Sequence, residues 1–109
     1  MTNPNFIGRY ELGDVVGLHA TVLGSDGTPK TPSTFMFLVK NPPGSIATYL
    51  FGEAAASIIN PAAGVFIKDL EIIPSPANVG TWFYRSYATG LVAAAEKWSF
   101  YVAHDETIV

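Results

Sequence analysis

The sequence predicts an all-β fold, an antiparallel sandwich of about seven strands, and three observations carry that prediction. Apolar residues in the strongly patterned segments recur with a period of two, which suits a pleated strand with one buried face. These segments are short and are separated by clusters of Gly, Pro, Asn and Asp that turn the chain. No segment has the length and caps of a convincing helix. At 109 residues the chain reads as one domain, 1–109, with an N-terminal arm at 1–9 and a C-terminal tail at 103–109.

Residues 1–9 are polar and hold Pro4 and Gly8, so they read as an irregular arm leading into Tyr10-Glu11-Leu12 before a turn at Gly13-Asp14. From Val15 to Leu23, Val16, Leu18, Ala20 and Val22 share one face while His19 and Thr21 take the other. Residues 24–33 form a loop rich in Gly, Pro and hydroxyl side chains. Thr34 to Lys40 is a strand with Phe35, Phe37 and Val39 on one side and Met36 and Leu38 on the other. Asn41-Pro42-Pro43-Gly44 then makes a tight turn into Ser45 to Phe51, completing a hairpin.

Residues 52–64 read mainly as a connection, because Pro61 and Gly64 interrupt them, with one helical turn allowed at Ala54-Ala55-Ala56. Val65 to Ile73 is a further strand in which Lys68 shares a face with Phe66, Leu70 and Ile72, so the lysine either snorkels to the edge or marks a bulge. Pro74 and Pro76 bend the chain. Gly80 to Tyr87 is the most informative run: Trp82 and Tyr84 point one way, Phe83, Arg85 and Tyr87 the other, and both faces are heavy. Residues 88–96 read as the extended entry to a last strand, Lys97 to Ala103, with Trp98, Phe100 and Val102 inward.

Charged residues are only 14% of the chain while hydrophobic residues are 49%, against about 25% charged in typical soluble domains. Much of the surface is therefore uncharged, which favours a protein that is part of an assembly. The net charge is −3, and the six basic residues, Arg9, Lys30, Lys40, Lys68, Arg85 and Lys97, are scattered in sequence, an arrangement that argues against nucleic acid. The chain has no cysteine, which excludes disulfides and thiolate metal sites and suits folding in a reducing cytoplasm. Neither a signal peptide nor a membrane span is expected, since every apolar run is broken early.

No chemistry-bearing constellation emerges. His19 and His104 lack metal-ligand spacing, and His19 falls on an outward face. His104-Asp105-Glu106 is a weak ligand cluster in a tail, and Asp69 and Glu71 read as the solvent side of a strand. We therefore expect no catalytic residues, no cofactor and no metal, and no enzyme activity. Exposed Phe83, Tyr87, Tyr49 and Tyr101 would suit either a weak glycan platform or an ordinary protein interface.

The run Asn78-Val79-Gly80-Thr81-Trp82-Phe83-Tyr84 resembles the corner that starts strand F of immunoglobulin-like domains, with Trp82 in place of the corner tyrosine and Tyr84 in place of the disulfide cysteine. Its indole N–H would then replace the tyrosine hydroxyl as donor to a nearby carbonyl. The expected fold is thus an immunoglobulin-like antiparallel β-sandwich.

A wider resemblance is carried by Tyr10 to Leu18, the Asp26-Gly27-Thr28-Pro29 loop, Thr34 to Val39, Asn41 to Gly44 before Tyr49, and Gly64-Val65-Phe66. Gly80 to Arg85, and Ala94-Ala95-Glu96 with Phe100 and Val102, complete it. Across residues 10–102 the chain resembles the small immunoglobulin-like virion accessory proteins of tailed bacteriophages; Lys68 and Trp98 depart from that pattern. The resemblance implies a structural virion protein assembled in the host cytoplasm, foremost a capsid decoration or cement protein that contacts the major capsid protein or other virion proteins and itself. A neck, tail or baseplate component is the alternative, and a carbohydrate-binding module for cell-surface attachment is a third. The expected interface is Met36, Leu38, Phe83, Arg85, Tyr87 and Tyr101, joined by the arm and the tail, with no nucleic-acid or membrane partner.

Overall fold

Burial alternates residue by residue along the strands, and it divides them between two sheets. The computed structural model describes residues 5–90 and 94–104. Eight strands are present among them: β1 (Asn5–Glu11), β2 (Val15–Thr21), β3 (Thr34–Lys40), β4 (Ile46–Leu50), β5 (Ile59–Ala62), β6 (Val65–Glu71), β7 (Gly80–Thr89) and β8 (Ala94–Ala103). One sheet has the order β1-β8-β7-β3-β4 and the other β2-β6-β5. All pairings are antiparallel except β1 with β8.

In immunoglobulin terms β2, β6 and β5 stand as strands B, E and D, while β3, β7 and β8 stand as C, F and G with β4 added beside C. The fold is an immunoglobulin-like β-sandwich.

Three expectations need correction. Residues 5–9 are not an irregular arm, because they belong to β1, which pairs through Asn5↔Trp98 and Arg9↔Tyr101 across an irregularity between Phe6 and Arg9. Residues 59–62 are not merely connection, because they form β5 against β6; Pro61 is accommodated there since β5 is an edge strand that owes no hydrogen bond on its outer side. The last strand also begins earlier than Lys97, at Ala94, and ends at Ala103 as its pattern predicts. Residues 1–4, 91–93 and 105–109, which include most of the expected tail, lie outside the described residues.

The core comes from the inward rows. Val16, Leu18, Ala20 and Val22 of β2 and its extension face Phe35, Phe37 and Val39 of β3, with Phe66 and Leu70 of β6 and Ile72 just beyond it. Phe35 stacks on Phe66 with centroids 3.9 Å apart, so one aromatic pair joins the two sheets. On β7 Trp82, Tyr84, Ser86 and Ala88 are buried. Trp82 Nε1 donates to the Asn78 carbonyl at 2.8 Å, so the indole closes the corner as the sequence suggests. Tyr84 stacks on Trp98 at 4.8 Å, and its hydroxyl sits by the backbone of His19 on β2. A phenol thus crosses the interior where a disulfide pins the sheets of antibody domains.

Lys68 keeps its inward register, opposite Leu18, with no bulge. Its Nζ donates to the Ala56 carbonyl at 2.6 Å and lies 4.2 Å from the Tyr49 ring. The aliphatic stem fills core volume while the ammonium ends on a carbonyl and an aromatic face. Burial pushes its pKa down, with the Asp69 carboxylate opposing. Lys68→Met keeps the stem and removes the buried charge, so its stability in urea melts should fall within about 1 kcal/mol of the parent. Lys68→Ala, which leaves a hole, should lose about 2–4 kcal/mol.

Candidate functional site

The outer face of the five-stranded sheet is assembled by register. The Asn41 side chain accepts from the N–H groups of Gly44 and Ser45, at 3.1 and 2.8 Å, and this tight turn fixes Lys40 opposite Ile46. Lys40 in turn opposes Phe83, Phe83 opposes Ser99, and Ser99 lies level with Phe6. The next row runs Thr48, Leu38, Arg85, Lys97, and a third runs Leu50, Met36, Tyr87. At the other end Thr81 opposes Tyr101, which is level with Arg9.

All six residues expected at the interface, Met36, Leu38, Phe83, Arg85, Tyr87 and Tyr101, therefore share this face. Their exposure differs: Tyr87 is 44%, Phe83 40% and Tyr101 36% accessible, whereas Met36, Leu38 and Arg85 are half-buried and act as its floor. Phe6 and Ile46, at 64% and 63%, are more exposed than any of them and extend the apolar surface at both sides. Phe6 is hidden from sequence reasoning by the irregular look of residues 1–9. Ile46 and Lys40 follow once the hairpin register is carried through Asn41–Gly44.

Tyr49 does not belong to the platform. It opposes inward Phe37 and packs against the core beside Lys68, so the aromatic platform loses one of its four expected members. His19 and His104 are both exposed, and Asp69 and Glu71 lie on the outer face of the other sheet. Among the described residues no three His, Cys, Asp or Glu side chains cluster to hold a metal ion, and no helix is long and apolar enough to cross a membrane.

A shallow groove of about 450 Å³ runs along the face, lined by Leu38, Lys40, Ile46, Phe83, Arg85 and Lys97 among others. Arg85 is among its lining residues; its guanidinium carbon is 5.7 Å from the Tyr87 ring, and its Nε is buried without a hydrogen-bond partner among the described residues. Arg9 sits similarly over Tyr101 at 5.8 Å. Among the described residues the single ion pair is Lys30–Asp26, at 3.7 Å in a loop. Four of the six basic residues thus stand on this face, with no carboxylate bonded to them among the described residues, so the scatter of the cations in sequence does not survive folding.

No protein-family model matches the chain, and no curated protein matches it. Among solved structures, it is similar to the crystal structure of the ZIG-8 IG1 homodimer, at 9% identity and a TM-score of 0.45, over 96% of this chain and 85% of that one. The fold assignment rests instead on strand order and register.

Proposed function

We propose that this chain is a structural protein of a tailed-phage virion, a capsid decoration or cement protein, and that it works through protein–protein contacts of the five-stranded sheet. The observation that carries the contact surface is the continuous outer face on which Phe6, Ile46, Phe83, Tyr87 and Tyr101 stand exposed. Aromatic and Arg side chains are the residues that concentrate binding energy at interfaces. The low charge content of the chain points the same way. The virion setting rests on the resemblance spanning residues 10–102, and a neck, tail or baseplate position would use the same face.

Phe83→Asp and Tyr87→Asp place a carboxylate in the middle of this surface without touching the core, so each should fold normally and lose at least tenfold in particle association, by analogy with interface hot spots worth ~2 kcal/mol or more. Co-sedimentation with particles lacking the protein reads this directly. Unchanged association by two well-folded variants would show that the interface lies elsewhere. The groove beside Phe83 supports a second reading, a glycan-binding module. A monomeric chain that binds simple sugars in titration calorimetry but ignores particles would replace the first reading with that one.

A further inference from the structure

Charge is segregated between the two outer faces. Among the described residues the outer row of the five-stranded sheet presents Arg9, Lys40, Arg85 and Lys97, with Glu11 at the end of its edge strand β1, while Glu96 of β8 lies on the alternate row opposite Ser86. The three-stranded sheet presents Asp69 and Glu71 on β6, opposite Gly17 and Val15 of β2. It carries no Lys or Arg among its outward residues, since Lys68 points into the core. Val15 and Ile59 are exposed on that second face, and Ile67 lies between His19 and Ile59 in register. One molecule therefore carries a cationic face with aromatic side chains and, on its opposite side, an acidic face with aliphatic ones.

We propose that copies of this chain stack front to back, the five-stranded face of one copy seating on the three-stranded face of the next. The proposal rests on reading the five-stranded face as a protein contact, and it names the partner as a second copy. Charge complementarity decides the geometry. A two-fold contact of the cationic face with itself would bring Arg85, Lys97 and Lys40 of both copies together, and like charges across an interface oppose association. Front-to-back seating instead brings Asp69 and Glu71 to the groove that holds these cations, and places Val15, Ile59 and Ile67 against Phe83 and Ile46. Such a contact is heterologous, so it propagates into a ring or a filament according to the rotation between copies.

The test uses two variants of the full chain in analytical ultracentrifugation. Arg85→Glu/Lys97→Glu spoils the cationic face, and Asp69→Lys/Glu71→Lys spoils the acidic one. The parent should assemble with rising concentration and dissociate as salt is raised from about 0.05 to about 0.5 M. Each variant alone should assemble at least tenfold more weakly, because each lacks one half of the contact. Mixed in equal amounts they should regain assembly, since the intact faces of the two variants meet at one junction and their charge-reversed faces oppose unlike charges at the next. An acidic-face variant that assembles like the parent would overturn the proposal in favour of a two-fold contact. A parent that stays monomeric at every concentration would overturn it as well. Should a double variant fail to fold, Lys97→Glu and Glu71→Lys, both at exposed positions, make the same comparison singly. A monomeric parent that still binds particles removes the stacking and keeps the virion contact, whereas stacking without particle binding does the reverse.

Discussion

Tyr84→Ala should lower the free energy of unfolding by about 3–5 kcal/mol, the usual loss for truncating a large buried aromatic. Tyr84 is 3% exposed at the centre of β7. It stacks on Trp98 and meets Phe37 and Phe100 edge-on or tilted, with centroids at 6.0 and 6.3 Å, so an alanine leaves three aromatic side chains without their common neighbour. Urea melts followed by tryptophan fluorescence would read the loss, and a drop below 1 kcal/mol would mean that the sheets are joined elsewhere. Tyr84→Phe separates packing from the hydroxyl. Burial pushes the phenol from 10.0 up to about 12, partly opposed by the His19 backbone.

Between those values the unfolded chain releases the proton and the folded one keeps it. Stability therefore falls as pH rises through this window, by about 2–3 kcal/mol at its upper end. Lys68 acts with the opposite sign: its pKa is lowered from 10.5 in the folded state, so stability contributed by that group grows as pH rises toward 10.5. Melts of the parent and of Tyr84→Phe from pH 9 to pH 12 should show the decline above pH 10 in the parent and a flatter curve in the variant.

Gly64→Ala should cost about 3–5 kcal/mol, an unusual figure for adding one methyl group. Gly64 closes the turn between β5 and β6 with a φ of 74°, where an L side chain is strained by ~1–2 kcal/mol. A Cβ there would also lie 2.6 Å from the Val22 carbonyl oxygen and 2.8 Å from the Lys30 nitrogen, both main-chain atoms that cannot swing aside. Overpacking of this kind adds ~1–3 kcal/mol. It would also disturb the Val22 N–H donation to the Gly64 carbonyl at 2.7 Å and that of Lys30 to Val22 at 2.9 Å. Gly27 is the control: its φ of 81° imposes the same strain, but nothing lies within 4 Å of its Cβ position. Gly27→Ala should therefore lose only ~1–2 kcal/mol, and equal losses at the two sites would refute the steric account.

The strands that alternate cleanly were legible before any coordinates. β3 runs from Thr34 to Lys40 as its pattern predicts, and the inward rows of β2, β6, β7 and β8 are those its apolar residues mark. Lys68 was legible only as either snorkelling to the edge or marking a bulge, and register against β2 shows that it stays inward with no bulge, whereas Trp82 could be given a carbonyl because a buried indole needs one. What escaped has a common cause in non-local pairing. β1 owes its existence to β8, far along the chain, and its own alternation is broken where the register slips after Phe6. β5 is too short and too proline-interrupted to announce itself. The site was half legible: periodicity put Phe83, Arg85 and Tyr87 together, but only register across β3, β4 and β8 adds Lys40, Ile46 and Lys97 and moves Tyr49 away.

The parallel pairing of β1 with β8 has a kinetic consequence. On a ribosome, the segment holding Phe6 and Arg9 is made about ninety residues before its partners Ser99 and Tyr101. β1 must wait, unpaired, until β8 has been made, whereas the hairpins β3–β4, β5–β6 and β7–β8 pair segments that are close in sequence. Closing so long a loop is costly, and chains dominated by such distant contacts fold in milliseconds to seconds. Deleting residues 1–11 should thus lower hydrogen-exchange protection at β8 far more than it changes the early refolding phase, and it would leave the β8 edge open to strand addition from other chains.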